Sequence, residues 1–238
     1  MKQYSTYIFD LDGTLLDTLQ DLTNSVNYAL HTFSMPERTR DEVRQFVGNG
    51  VRLLIERAVP VGTKDGVTIQ VFEAFRKHYL DHSLDNTQPY EGILPTLSEL
   101  KRRGCNIAIV SNKLQPAVTE LSNRFFSRYV DVAIGEHVGI RRKPSPDMIE
   151  AVVRELNIDK SDAVYIGDSD VDIITARNAT LPCISVTWGF RSKQFLLDHE
   201  ATTLISSPID LLSLSLELSL VISQIRNLLL SHILLHLI

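Results

Sequence analysis

Short apolar runs of strand length recur along the chain, at Tyr4–Phe9, Asn106–Val110, Val130–Ile134, Ala163–Ile166 and Cys183–Thr187. Stretches of helical periodicity separate the later runs. Strands alternating with helices pair in parallel through right-handed crossovers, which predicts an α/β fold with a sheet covered on both faces. Two helices are well signalled. Residues Ile93–Arg103 place Ile93, Leu94, Leu97 and Leu100 on one face and stop at Gly104. Residues Pro146–Leu156 start with proline after Ser145, a residue suited to an N-cap, and turn Ile149, Val152, Val153 and Leu156 inward.

From about Leu16 to Tyr90 the alternation stops and only helical periodicity is found: Leu19, Leu22, Val26 and Leu30, then 43–47, 51–59 and 67–80. This predicts a helical subdomain of residues 16–90, punctuated by glycines at 48, 50, 62 and 66 and inserted into a core made of 1–15 and 91–210. The last segment, 211–238, holds 17 Leu, Ile or Val residues in 28. Its first half alternates as a strand does, yet Leu214, Leu218, Val221, Ile225 and Leu228 also form a helical stripe. Its longest uncharged stretch is 12 residues, short of the roughly 20 that span a bilayer. The expectation is an amphipathic helix packed on the body or on a second copy, with no transmembrane segment.

Composition narrows the function. The 238 residues carry 24 Lys+Arg against 29 Asp+Glu, a net charge of −5, and no dense basic run, which argues against a nucleic-acid partner. Two cysteines, Cys105 and Cys183, each lie in an apolar run and cannot make a disulfide framework. No export signal opens the chain, so a cytoplasmic location is expected.

The chemistry lies just past strand ends. Asp10-Leu11-Asp12-Gly13-Thr14 follows the first apolar run, and Gly167-Asp168-Ser169-Asp170-Val171-Asp172 follows the fourth. Open α/β sheets place ligands beyond such ends. A calcium loop fails at both sites: the first has Leu15 at position 6 and Asp21 at position 12, and the second has Ile173 and Ala179. Ser111-Asn112-Lys113 follows the second run and could hold an anion at a strand-to-helix turn, although Ser and Asn there also read as caps. Lys143 precedes Pro144, which biases it to extended backbone, although Arg141-Arg142-Lys143 also reads as a solvated run. If Asp10, Asp12, Asp168 and Asp172 share a crevice, about −4 of charge needs a cation. Their hard oxygens select Mg²⁺ over Zn²⁺. With Lys143 the crevice then accepts a phosphate dianion, Asp10 serves as an ionised nucleophile and Asp12 as general acid and base.

With these residues in order, the chain resembles the haloacid dehalogenase superfamily over about Tyr4 to Leu212. Asp10-Leu11-Asp12-Gly13-Thr14 is similar to the DxDGT signature, Ser111 to the lone Ser/Thr, Lys143 to the lysine, and Gly167-Asp168…Asp172 to the GDxxxD motif. Within it the chain is similar to phosphoglycolate phosphatases at Phe46–Arg52, at Arg142–Pro146 and at Trp188-Gly189-Phe190-Arg191. The resemblance implies a Rossmann-like core with a mainly parallel sheet and a helical cap inserted after the first strand. It implies an aspartyl-phosphate on Asp10, with Asp12 as acid/base and Ser111, Asn112 and Lys143 as phosphoryl ligands. It implies Mg²⁺ held by Asp10, the main-chain carbonyl of Asp12 and Asp168, with Asp172 in support.

The expected activity is Mg²⁺-dependent hydrolysis of a small phosphomonoester, with 2-phosphoglycolate the named substrate. A phosphosugar mutase, a pyrophosphatase or nucleotidase, and a non-enzymatic metal- or anion-binding interaction module are the alternatives. Gly48-Asn49-Gly50, with Arg52, is the expected substrate loop of the cap, against an ordinary helix-to-helix turn. Self-association is expected through the C-terminal tail.

Overall fold

The structure is a computed structural model, and it describes residues 4–48 and 50–213. In chain order, β1 (Thr6–Phe9) leads to the short β2 (Leu16–Asp17). Four helices follow: α1 (Leu19–Thr32), α2 (Arg40–Phe46), α3 (Val51–Ala58) and α4 (Asp65–His82). The chain returns through β3 (Gln88–Pro89), α5 (Ile93–Arg102), β4 (Asn106–Leu114), α6 (Gln115–Phe126) and β5 (Val132–Glu136). It then forms α7 (Asp147–Leu156), β6 (Ala163–Gly167), α8 (Asp170–Asn178), β7 (Cys183–Val186), α9 (Lys193–Asp198), β8 (Leu204–Ile205) and α10 (Asp210–Ser213).

Six strands make one parallel sheet in the order β5-β4-β1-β6-β7-β8. The period of two along β1 explains its central place. Tyr7 and Phe9 enter one buried cluster, with Ile107 and Ile109 of β4 and Leu97, Leu121 and Phe126 of α5 and α6. Ile8 enters the cluster on the opposite face, with Ala108, Tyr165, and Met148, Ile149 and Val152 of α7. A strand apolar on both faces must be covered on both, so β1 sits mid-sheet between β4 and β6. The register Thr6↔Asn106 and Thr6↔Ala163 brings the C-terminal ends of β1, β4 and β6 to one rim.

A third buried cluster lies within α1–α4, around Leu22, Val26, Leu54, Ile55, Val71 and Phe75. Two features close the base of this helical layer, where the chain leaves and re-enters the sheet domain. β2 and β3 pair antiparallel, Leu16 with Pro89 and Asp17 with Gln88. The buried Asp21 of α1 accepts bonds from the backbone N–H and side chains of both Asn86 and Thr87.

The structure departs from the sequence reading in several places. Residues 16–90 contain two strands after all, each of two residues, too short to show a period. Residues Ser111, Asn112 and Lys113 lie inside β4 rather than in a turn after it, because a register irregularity between Val110 and Leu114 carries the pairing on to Leu114↔Glu136. β5 begins two residues later than expected, and Pro146 rather than Ser145 occupies the N-cap of α7. β8 was not anticipated. The expected tail helix falls on 214–238, outside the described residues. Leu211 and Leu212 of α10 are buried in the main core, so a truncation after Asp210 removes core side chains.

Candidate active site

The site forms where the β1 and β6 ends meet. The Asp10 N–H donates to the Ile166 carbonyl (2.8 Å), which sets the two acidic loops side by side. Asp10, Asp168 and Asp172 are all buried, and each offers an oxygen within 4.8 Å of the others. Glycines make this approach possible. A Cβ on Gly13, whose φ is +85°, would fall 2.4 Å from the Asp168 carboxylate, and one on Gly189 would meet the same side chain at 2.4 Å.

Lys143, from the loop before α7, drives its ammonium between two of these carboxylates, 2.7 Å from Asp10 Oδ1 and 2.8 Å from Asp172 Oδ1. The Tyr165 hydroxyl donates to the same Asp172 oxygen (3.0 Å). The other Asp172 oxygen accepts from the N–H and hydroxyl of Ser169, closing a capping box at the start of α8. Asp172 is thus saturated and acts as a hub. Asp168 accepts from the Phe190 N–H (2.7 Å) and weakly from Thr14 Oγ1 (3.4 Å).

One lysine among three buried carboxylates leaves excess negative charge. Burial, then repulsion from Asp172 and Asp168, raises the Asp10 carboxyl well above the ordinary range against the pull of Lys143. Burial and the Asp172 charge push Asp168 up to about 7. Burial opposes the Lys143 charge, but Asp10 and Asp172 overcome it and hold its pKa above the usual lysine value. A cluster of oxygen donors destabilised by its own charge fits a hard divalent cation.

A second ion pair lies beside the first. Lys113 Nζ sits 3.0 Å from Asp12 Oδ1, a buried oxygen that takes no directed hydrogen bond, so the contact is ionic. The same ammonium donates to the Tyr79 hydroxyl of α4 (2.7 Å) and lies 4.5 Å from the centre of that ring. Asn112 spans the gap between β4 and the Lys143 loop. Its amide donates to the Lys143 carbonyl (3.0 Å) and accepts from the Lys143 N–H (2.7 Å).

Above these groups is a cleft. Asp10, Asp12, Ser111, Asn112, Lys113, Lys143 and Asp168 floor it, and Leu22, Val47, Val51 and Leu54 of the helical layer roof it. Gly48 and Gly50 form one edge, at φ +119° and +83°, and Asn49 lies outside the described residues. Arg191 forms another edge and donates across it to the Arg44 (2.8 Å) and Val47 (2.6 Å) carbonyls at the C-terminal end of α2.

The structure therefore brings Asp10, Asp12, Ser111, Asn112, Lys143 and Asp168 to one cleft, with Asp172 beneath it. Arg52 is not among the lining residues. Its side chain is 70% exposed and paired with Glu56 (3.0 Å), because α3 turns Val51 and Leu54 inward and Arg52 outward. Lys113, Tyr79 and Arg191 were not singled out as site residues. Lys113 follows Ser111 and Asn112 directly, and Arg191 lies in the quoted Trp188–Arg191 stretch, whereas Tyr79 carries no local signal.

Among known proteins, the profile of the haloacid dehalogenase-like hydrolases matches residues 7–186. Phosphoglycolate phosphatase 1 of Pseudomonas aeruginosa is 34% identical over 212 residues, covering 86% of this chain and 77% of that protein. Phosphoglycolate phosphatase of Aquifex aeolicus is 34% identical over 188 residues, covering 77% and 84%. A crystal structure of a candidate phosphoglycolate phosphatase from Lactobacillus delbrueckii subsp. bulgaricus superposes with a TM-score of 0.86 at 36% identity, covering 90% of this chain and 99% of that one.

Proposed function

We propose 2-phosphoglycolate as the substrate of this chain, which belongs to the haloacid dehalogenase-like hydrolases and is a phosphoric monoester hydrolase. The observation that carries the reading is the meeting of Asp10, Asp12, Asp168 and Lys143 in one cleft. The substrate follows the names of the relatives.

Lys143 occupies Asp10 Oδ1, leaving Oδ2 to attack phosphorus. The ester oxygen departs with a proton from Asp12, and an aspartyl-phosphate remains on Asp10. Asp12 then takes a proton from water, which attacks the same phosphorus, releasing phosphate and restoring the Asp10 carboxylate. Ser111, Asn112 and Lys143 hold the phosphoryl oxygens. Asn112 also keeps Lys143 in place, since its amide is bonded both ways to the lysine backbone.

Asp10, Asp168 and the main-chain carbonyl of Asp12 would hold Mg²⁺, with Asp172 in support through its bonds to Lys143 and Ser169. When bound, Mg²⁺ offsets the carboxylate charge and that of the transferring group. Residues 16–90 serve as a cap whose apolar roof excludes water and whose Gly48 and Gly50 edge meets the leaving group.

Phosphate release from a panel of small esters tests this, with and without Mg²⁺. The expected result is the highest kcat/KM for 2-phosphoglycolate and loss of turnover in chelator. Isomerised sugar phosphate without free phosphate would overturn it.

A further inference from the structure

Lys113 has the environment of a residue with a task. Its side chain is 3% exposed, and it lies under the helical layer rather than among the strand-end carboxylates that Lys143 serves. Burying an ammonium is costly unless its partners are well placed. Here the partners come from two separate parts of the fold: Asp12 from the loop after β1, and Tyr79 from near the C-terminal end of α4, thirty-four residues away from Lys113 in sequence. Tyr79 is itself 4% exposed and stacks on Phe75 within the helical cluster, so its hydroxyl position is set by α4.

We propose that Lys113 is a positioning residue for Asp12, and that Tyr79 makes this positioning depend on the seating of α4 against β4. The inference rests on the phosphatase reading and deepens it. Lys113 covers Asp12 Oδ1, which is buried. Proton transfer then falls to Oδ2, in a fixed carboxylate plane. A hydroxyl borne by the helical layer fixes the ammonium in turn, so the proton donor is aligned when the layer is seated and loses an anchor when it lifts. Neither Lys113 nor Tyr79 forms a bond to the reacting atoms in this scheme.

Ethyl, monofluoroethyl and trifluoroethyl phosphate test the idea, because their leaving alcohols differ in acidity but little in size. A misplaced proton donor hurts the poorest leaving group most, whereas a general disturbance of the site hurts all three alike. Lys113→Met is expected to lower kcat/KM about a hundredfold for the ethyl ester and about tenfold or less for the trifluoroethyl ester, within the range of general acid catalysis. Tyr79→Phe keeps the ring and removes one hydroxyl, so it carries the test even if Lys113→Met does not fold. It is expected to shift the same ratio by about threefold in the same direction. Equal losses across the three esters in Tyr79→Phe and in any folded Lys113→Met would overturn the inference while leaving the phosphatase reading intact. A wild-type protein that releases phosphate from none of the esters with Mg²⁺ would overturn that reading, and this inference with it.

Discussion

The floor of the cleft carries aspartates and lysines on or just past strand ends, whereas its roof presents Leu22, Val47, Val51 and Leu54 from a helical layer. The charges of the floor share partners. Lys143 bridges Asp10 and Asp172 and is itself held by Asn112 and Tyr165. The roof has shape but little polarity, and among the described residues its directed contacts with the floor are the Tyr79–Lys113 bond and the Arg191 bonds to α2. A floor so built suits a reaction common to many esters. A roof so built suits the choice among them, and a layer held by a few bonds can lift to admit substrate.

Substitutions that separate floor from roof test this division, the largest effect first. Asp10→Asn is expected to lower kcat more than about 10³-fold in steady-state phosphate release, because no other group replaces the nucleophile. Lys143→Met is expected to cost about 10²–10³ in kcat. It is also expected to lower stability by about 3–5 kcal/mol in urea melts, since it leaves Asp10 and Asp172 facing each other. Leu54→Ala, in the roof, opens a cavity at a buried position and is expected to cost about 2–4 kcal/mol. Its kinetic effect should appear in KM and in the ranking of esters, with kcat within about tenfold of wild type. A roof substitution that matched the floor in kcat would break the comparison.

The smallest effect is electrostatic. Asp168 is held at about 7 by burial and Asp172, above its ordinary carboxylate value in the unfolded chain. Between those values the folded state binds the extra proton, so the contribution of Asp168 to stability falls as pH rises through the window. In chelator, the Tm of wild type is expected to fall relative to Asp168→Asn by roughly 2–6 °C from about pH 4 to about pH 8. Mg²⁺ should reverse the fall only in wild type. Parallel melting curves would show that Asp168 carries no such excess charge.

The same division governs what the sequence makes visible. Asp10, Asp12 and Asp168 lie in short loops after apolar runs and Asp172 in the first turn of the helix that follows, so local spacing is enough to find them. The sheet is legible for a similar reason, since each strand core is a buried run. The roof is not. Which face of α3 turns inward depends on packing against α4, and this sends Val51 and Leu54 to the cleft and Arg52 to solvent. The Lys113–Tyr79 contact joins residues with no local relation, and Ser111–Lys113 read as a turn because a polar triplet inside a strand is unusual. β2, β3 and β8 have two residues each, below the length at which alternation can be seen.

The central claim is that a carboxylate on the floor accepts the phosphoryl group. Acid-quenching the enzyme during turnover and mapping the phosphorylated peptide tests it most directly. Phosphate is expected on Asp10 in wild type and none in Asp10→Asn. Undiminished phosphate release from Asp10→Asn, or a phosphoryl group mapped to any other residue, would contradict it.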